Sequence, residues 1–230
     1  MDQSPRPFFY EAKIRVRLFR KLIYRLWKWT VLADAKSYIY KINDESKQAS
    51  ALLTPAIVLS TFSRPLDFLI LFYLFQEKEL TFISPRNLPF EKNFLRLSSI
   101  ARMLHFDGLI GYSFFRKLLA ALRDFNRSVV ISPQAISRYA GHIPIDFSVV
   151  ARIAMAANVP IITVIMKWQN DVESRKGCQV QIRKKVYVSP RSEEFKDVFF
   201  KQKGLRKFRK LPKEDLTVIG QRIFSMLEQG

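Results

Sequence analysis

The chain has 230 residues, 48% of them hydrophobic and 26% charged, which supplies one domain with a full core and excludes a disordered tail. Thirty-nine Lys and Arg against 20 Asp and Glu leave a formal charge of +19, so a polyanion is the expected partner, either an anionic membrane surface or nucleic acid. The single cysteine, Cys178, excludes an intramolecular disulfide and a cysteine-based zinc site, and points to a reducing compartment.

Between Phe8 and Leu32 every apolar stretch is broken by Arg or Lys, so no signal peptide is expected there. Those residues instead follow a helical period. Leu18, Phe19, Leu22, Ile23, Leu26, Trp27 and Trp29 share one arc, and Arg17, Arg20, Lys21, Arg25 and Lys28 the opposite one. Apolar side chains can enter the acyl boundary of a bilayer while the cations meet lipid phosphates, so Arg17, Phe19, Arg20, Lys21, Ile23, Trp27 and Trp29 are the candidate membrane-binding residues. The competing reading is a helix packed on the domain with a solvated basic face. The longest apolar run, Phe68 to Phe75, is too short to span a bilayer and reads as a buried helix or strand.

From Pro55 onward short apolar runs alternate with helix-length amphipathic stretches, the pattern of an α/β fold. Strands are expected at Ala56 to Ser60, Leu80 to Ser84, Gly108 to Tyr112, Ser128 to Ser132 and Pro160 to Met166, with a later edge strand within Gln179 to Val188. Helices are expected at Leu66 to Gln76, Glu91 to Leu104, Phe114 to Phe125, Asp146 to Ala157 and the C-terminal end. The whole divides into a basic helical arm (1–49), a single α/β domain with a central, mostly parallel sheet flanked by helices (50–190), and a basic helical segment (191–230) in which seven cations from Lys201 to Lys213 surround Leu205, Phe208 and Leu211.

Four local patterns, in order, resemble the glycerol-phosphate/lysophospholipid acyltransferase family over about residues 50 to 190. Asn158-Val159-Pro160-Ile161-Ile162-Thr163-Val164 is similar to the family's Val-Pro-Ile strand, and Val129-Val130-Ile131-Ser132-Pro133-Gln134-Ala135 stands where it has a strand followed by Phe-Pro-Glu-Gly. Ser60-Thr61-Phe62-Ser63-Arg64-Pro65-Leu66-Asp67 stands where it has Asn-His, four residues, Asp, and Gly108 to Ser113 approximates the Gly-led middle strand. The resemblance implies an acyl-thioester donor, carried on coenzyme A or an acyl carrier protein, a lysophospholipid or glycerol-phosphate acceptor, and no required cofactor. The reducing compartment and the basic amphipathic arm give the expected location, cytoplasmic and peripheral on the inner face of a membrane.

Acyl transfer to an alcohol needs a base for the hydroxyl proton and a carboxylate to orient it. Phe62 stands at the position of the family's base and has no lone pair. Asp67 is present, and also fits as an acid in the first turn of a helix beginning near Pro65. Gln134 replaces the family's Glu and Ala135 its Gly; Arg138, Arg116 and Gly141 are the candidate phosphate-binding residues. The histidines are His105, expected at a helix end, and His142, beside Gly141, the better substitute base. No Walker A sequence, dinucleotide turn, serine elbow or metal-ligand spacing occurs. The expectation is an impaired or inactive acyltransferase-like protein that binds lipid, acyl donor or a partner. The alternatives are an active acyltransferase with a non-standard base and a nucleic-acid-binding protein, the latter disfavoured because the aromatics follow a helical period and form no stacking platform.

Overall fold

The structure is a computed structural model that describes residues 29–30, 32–45, 55–61, 65–75, 80–85, 102–106, 112–133, 146–169, 177–200 and 211–228. Its strands are β1 (Ile39–Asp44), β2 (Ile57–Ser60), β3 (Leu80–Pro85), β4 (Arg102–Phe106), β5 (Ser128–Ile131), β6 (Ile161–Gln169) and β7 (Gly177–Ile182). They form one seven-stranded sheet in the order β1-β7-β6-β2-β5-β3-β4. Every neighbouring pair is parallel except β6 and β7. The helices are α1 (Pro65–Leu74), α2 (Tyr112–Arg123), α3 (Phe147–Ala157), α4 (Lys196–Phe200) and α5 (Lys213–Glu228).

β2 and β5 are buried at every position, which is why they read as unbroken apolar runs: a parallel strand at the centre of a sheet has helices on both faces. Alternation sends Ile57, Leu59, Val129, Ile131 and Ile161 to one face, where they meet α2, α3, α4 and α5. Val58, Val130, Ile162 and Val164 point the other way, into Phe68, Ile70, Leu71, Leu74 and Phe75 of α1 and the turn after it. The Phe68 and Phe82 rings lie 5.0 Å apart there, within aromatic contact.

α3 shows how local residues fix an element. Asp146 is its N-cap, accepting from the Ser148 N–H at 2.8 Å, and Asn158 ends it in the left-handed conformation at φ 54°. Asn158 is one of the few non-glycine residue types that tolerate this region, so the Asn158-Val159-Pro160 sequence is a helix stop that feeds β6.

Several expected boundaries move. Arg102–Phe106 is strand β4, paired with β3 from Thr81↔Arg102 to Pro85↔Phe106, so the helix expected through Leu104 and the helix-end position expected for His105 are both corrected. Pairing to a buried neighbour has overridden the local helical pattern. Tyr112 opens α2 and does not end a strand; the rest of the strand expected at Gly108 lies outside the described residues. β7 is not an edge, because β1 covers it in parallel register, Ile39↔Cys178 to Asp44↔Ile182. The sheet thus begins upstream of residue 50. Nor does the fold stop at 190: Phe195, Val198, Phe199, Ile219, Ile223 and Leu227 belong to the same buried cluster as β2 and β5.

α5 reaches that cluster by passing very close to the start of α3. A Cβ on Gly220 would lie 2.6 Å from the Ser148 backbone N and 2.8 Å from the Phe147 carbonyl carbon. Gly220→Ala in an open helix would stabilise by about 1 kcal/mol. Here it should instead destabilise by about 1–3 kcal/mol, because backbone must give way, as a lowered midpoint in urea unfolding would show.

α5 is also tied to α4. Arg222 donates to both Asp197 carboxyl oxygens at 2.5 Å and to the Glu194 carbonyl at 2.7 Å. The hydrogen bonds from Arg222 push the Asp197 pKa down to about 2 from 3.8, and the same bonds raise that of Arg222. A depressed carboxyl favours the folded state above its unfolded value, so this contribution should be complete above about pH 4 and fade as pH falls through about 2. In a carboxyl NMR titration, Arg222→Gln should return Asp197 toward its ordinary value; an unchanged value would show that Arg222 is not the cause.

Candidate functional site

Parallel strands deliver their carboxyl ends to one edge of the sheet, where α/β folds place their chemistry. β2 and β5 are adjacent there with Leu59 opposite Ile131, so Ser60 and Ser132 come next along the two chains, both fully buried. The Ser60 hydroxyl has no hydrogen-bond partner among the described residues. On its other side β2 pairs with β6, Ser60 opposite Val164. Beyond that point Thr61 continues the ladder with its side chain, its Oγ1 accepting from the Met166 N–H at 2.9 Å. β6 then runs on antiparallel to β7 out to Gln169↔Gly177, a raised wall beside the shorter β2.

Asp67 sits against that wall. It lies in the first turn of α1, as the sequence places it, but it is only 2% exposed, and its Oδ1 accepts a hydrogen bond from Trp168 Nε1 at 2.7 Å. The Trp168 ring also meets Tyr38, with centroids 6.3 Å apart. One carboxyl and one indole therefore join α1, β6 and the helical residues 32–38 that lead into β1. An indole N–H only donates, so this bond holds the Asp67 carboxyl through its Oδ1.

Phe62 and Gln134 follow the carboxyl ends of the adjacent strands β2 and β5. Both lie outside the described residues, as do Arg138, Gly141 and His142 and the membrane-binding candidates Arg17, Phe19, Arg20, Lys21, Ile23 and Trp27. Trp29 is helical and 77% exposed. Arg116 is exposed on α2, which packs on the face of the sheet opposite α1. Trp168 was not anticipated, although period-two alternation from Val164 through Met166 puts its side chain on the α1 face. Among the described residues no cluster of His, Cys, Asp or Glu is placed to hold a metal ion, and no helix is long and apolar enough to cross a membrane.

No protein-family model and no curated protein matches the chain. Among solved structures, the crystal structure of the 1-acyl-sn-glycerophosphate (LPA) acyltransferase PlsC from Thermotoga maritima is similar to it. The identity is 12% and the TM-score 0.49, over 96% of this chain and 89% of that chain.

Removing the indole donor while keeping an aromatic ring should expose what the Asp67 contact contributes. Trp168→Phe is expected to lower stability by about 1–3 kcal/mol in urea unfolding, the cost of taking a donor from a buried polar group. Asp67→Asn keeps an acceptor oxygen and should cost less. Parent-like stability in Trp168→Phe would show that the bond is not holding α1 to β6.

Proposed function

We propose that this chain is an acyltransferase-like protein of the cytoplasmic membrane surface that binds a lipid or an acyl-thioester ligand and does not turn it over by the base chemistry of the family it resembles. The observation that carries this reading is the state of Asp67. In the resembled mechanism that carboxyl orients an imidazole. Here position 62 is phenylalanine, and Asp67 is buried with its Oδ1 engaged by Trp168 Nε1. Gln134 offers hydrogen bonds where a charge would be needed, so the second carboxyl is missing as well.

The membrane side of the proposal rests on the +19 charge, the amphipathic spacing from Phe8 to Trp29 and the exposure of the Trp29 ring. Arg17, Arg20 and Lys21 supply the cations, with Phe19, Ile23, Trp27 and Trp29 as the apolar face. The bound ligand is a lysophospholipid, a glycerol-phosphate lipid or the acyl thioester of coenzyme A or a carrier protein.

General-base assistance is worth about 10²–10⁴-fold, so thioester-dependent acylation of lysophospholipid by the parent protein should be at background. Phe62→His with Gln134→Glu should raise it if the surrounding geometry is intact. Robust turnover by the parent that disappears in His142→Ala would overturn the non-catalytic reading and identify the base. Sedimentation with anionic vesicles should weaken as salt rises and fail in the Arg17→Glu, Arg20→Glu, Lys21→Glu variant. Steep salt-dependent binding to oligonucleotides with no binding to vesicles would favour the nucleic-acid reading instead.

A further inference from the structure

A helix packed on a sheet ordinarily turns a polar face to water, and the layer of α2, α3 and α5 does so with Arg116, Lys117, Arg152, Gln221 and Glu228, all exposed. α1 does not. From Pro65 to Leu74 its one charged residue is Asp67, buried against Trp168, and every other residue is apolar except Tyr73, which carries a hydroxyl on its ring. At about 100° per residue Phe68 and Leu71 point at the sheet, where they belong to its buried cluster. Leu66, Leu69 and Tyr73 fall on the opposite side, and among the described side chains of α1 these three are the ones that are only half-buried. The outer face of α1 is thus a Leu-Leu-Tyr stripe at i, i+3 and i+7, about 10 Å long.

We infer that this stripe is where the folded domain lies on the bilayer, its side chains in the acyl boundary. The inference rests on the proposed membrane reading, which comes from the arm, and adds the face of the domain that meets the lipid. What selects lipid over another apolar partner is the segment that leads to this side. Residues 32–38 are helical and finish with Tyr38 against Trp168, which is bonded to Asp67 in the first turn of α1. Ile39, Trp168 and Tyr73 itself are the partly buried side chains packed against the α1-side cluster. The membrane-binding segment therefore joins the domain on the α1 side, and its last residue, Trp29, is 77% exposed. A bilayer that takes up this segment is tethered to that side, and a stripe without charge can enter it without stripping an ion of water. Tyr73 suits the boundary, with its ring in the acyl region and its hydroxyl among the headgroups. The opposite layer could not exchange places with it, since Arg116, Lys117 or Arg152 would be desolvated in hydrocarbon. The sheet then lies along the membrane with α1 toward lipid and α2, α3 and α5 toward water.

An environment-sensitive fluorophore attached to the full chain at Leu69→Cys tests this; Cys178 is buried, so the new thiol is the one that reacts. Circular dichroism and the urea midpoint check that the labelled protein folds as the parent does. With vesicles of phosphatidylcholine and phosphatidylglycerol, emission from position 69 should shift to shorter wavelength and be quenched by nitroxides carried on the acyl chains. The same label at Gln221→Cys, exposed on α5, should do neither. Leu66→Gln with Leu69→Gln should lower vesicle affinity about tenfold in sedimentation, through loss of two apolar side chains from the acyl boundary, and leave the salt dependence that belongs to the arm. The label at 69 decides the matter where that double variant does not fold. If the labelled protein sediments with vesicles while position 69 does not respond, or responds no more than 221, the assignment is overturned and the membrane binding of the arm stands. Failure to sediment at all overturns both. Emission from 69 that changes with protein concentration and not with vesicles marks a second copy as the occupant. Emission already blue-shifted and indifferent to both marks a cover from the chain itself, and either result overturns the assignment.

Discussion

Three central strands, β2, β5 and β6, must be sheltered from water on both faces, and most of the molecule follows from that demand. A strand such as Ile57–Ser60 cannot leave either side exposed, so helices have to be recruited above and below. Among the described residues α1 covers the β2 and β5 positions on one side with Phe68, Ile70 and Leu71; the opposite side takes α2, α3, α4 and α5. The far C-terminal helix is therefore part of the core. Its fit depends on a glycine, because only the absence of a Cβ at Gly220 lets α5 come down onto the Phe147 and Ser148 backbone.

The same demand explains what was legible beforehand. β2, β3, β5 and β6 are short runs rich in branched apolar residues, and a buried parallel strand has little other way to be written. β1 and β4 lack that signature. β1 is an edge strand, Ile-Tyr-Lys-Ile-Asn-Asp, with its four central residues exposed, and its strand character comes from pairing with β7. β4 carries Arg and His among apolar residues, and a helical spacing fits it as well until β3 supplies the partner. Edges are specified by their neighbours more than by their own side chains.

For the site, the identities at 62, 67 and 134 could be read directly. What Asp67 touches could not. Its partner lies 101 positions away on β6, and the contact exists because β6 outruns β2 past Val164 and carries Trp168 beside the first turn of α1. Nothing local to either residue announces it.

That contact changes what the presence of Asp67 means. A carboxyl at position 67, at the spacing of the resembled motif, invites the reading of a working site. A buried aspartate that accepts from an indole and helps clamp α1 to β6 has a reason to persist whether or not any proton is moved. Replacing it with a residue that cannot accept would take this bond from Trp168 Nε1 in a half-buried site, a cost borne by stability and independent of turnover. The carboxyl therefore cannot serve as evidence for catalysis here.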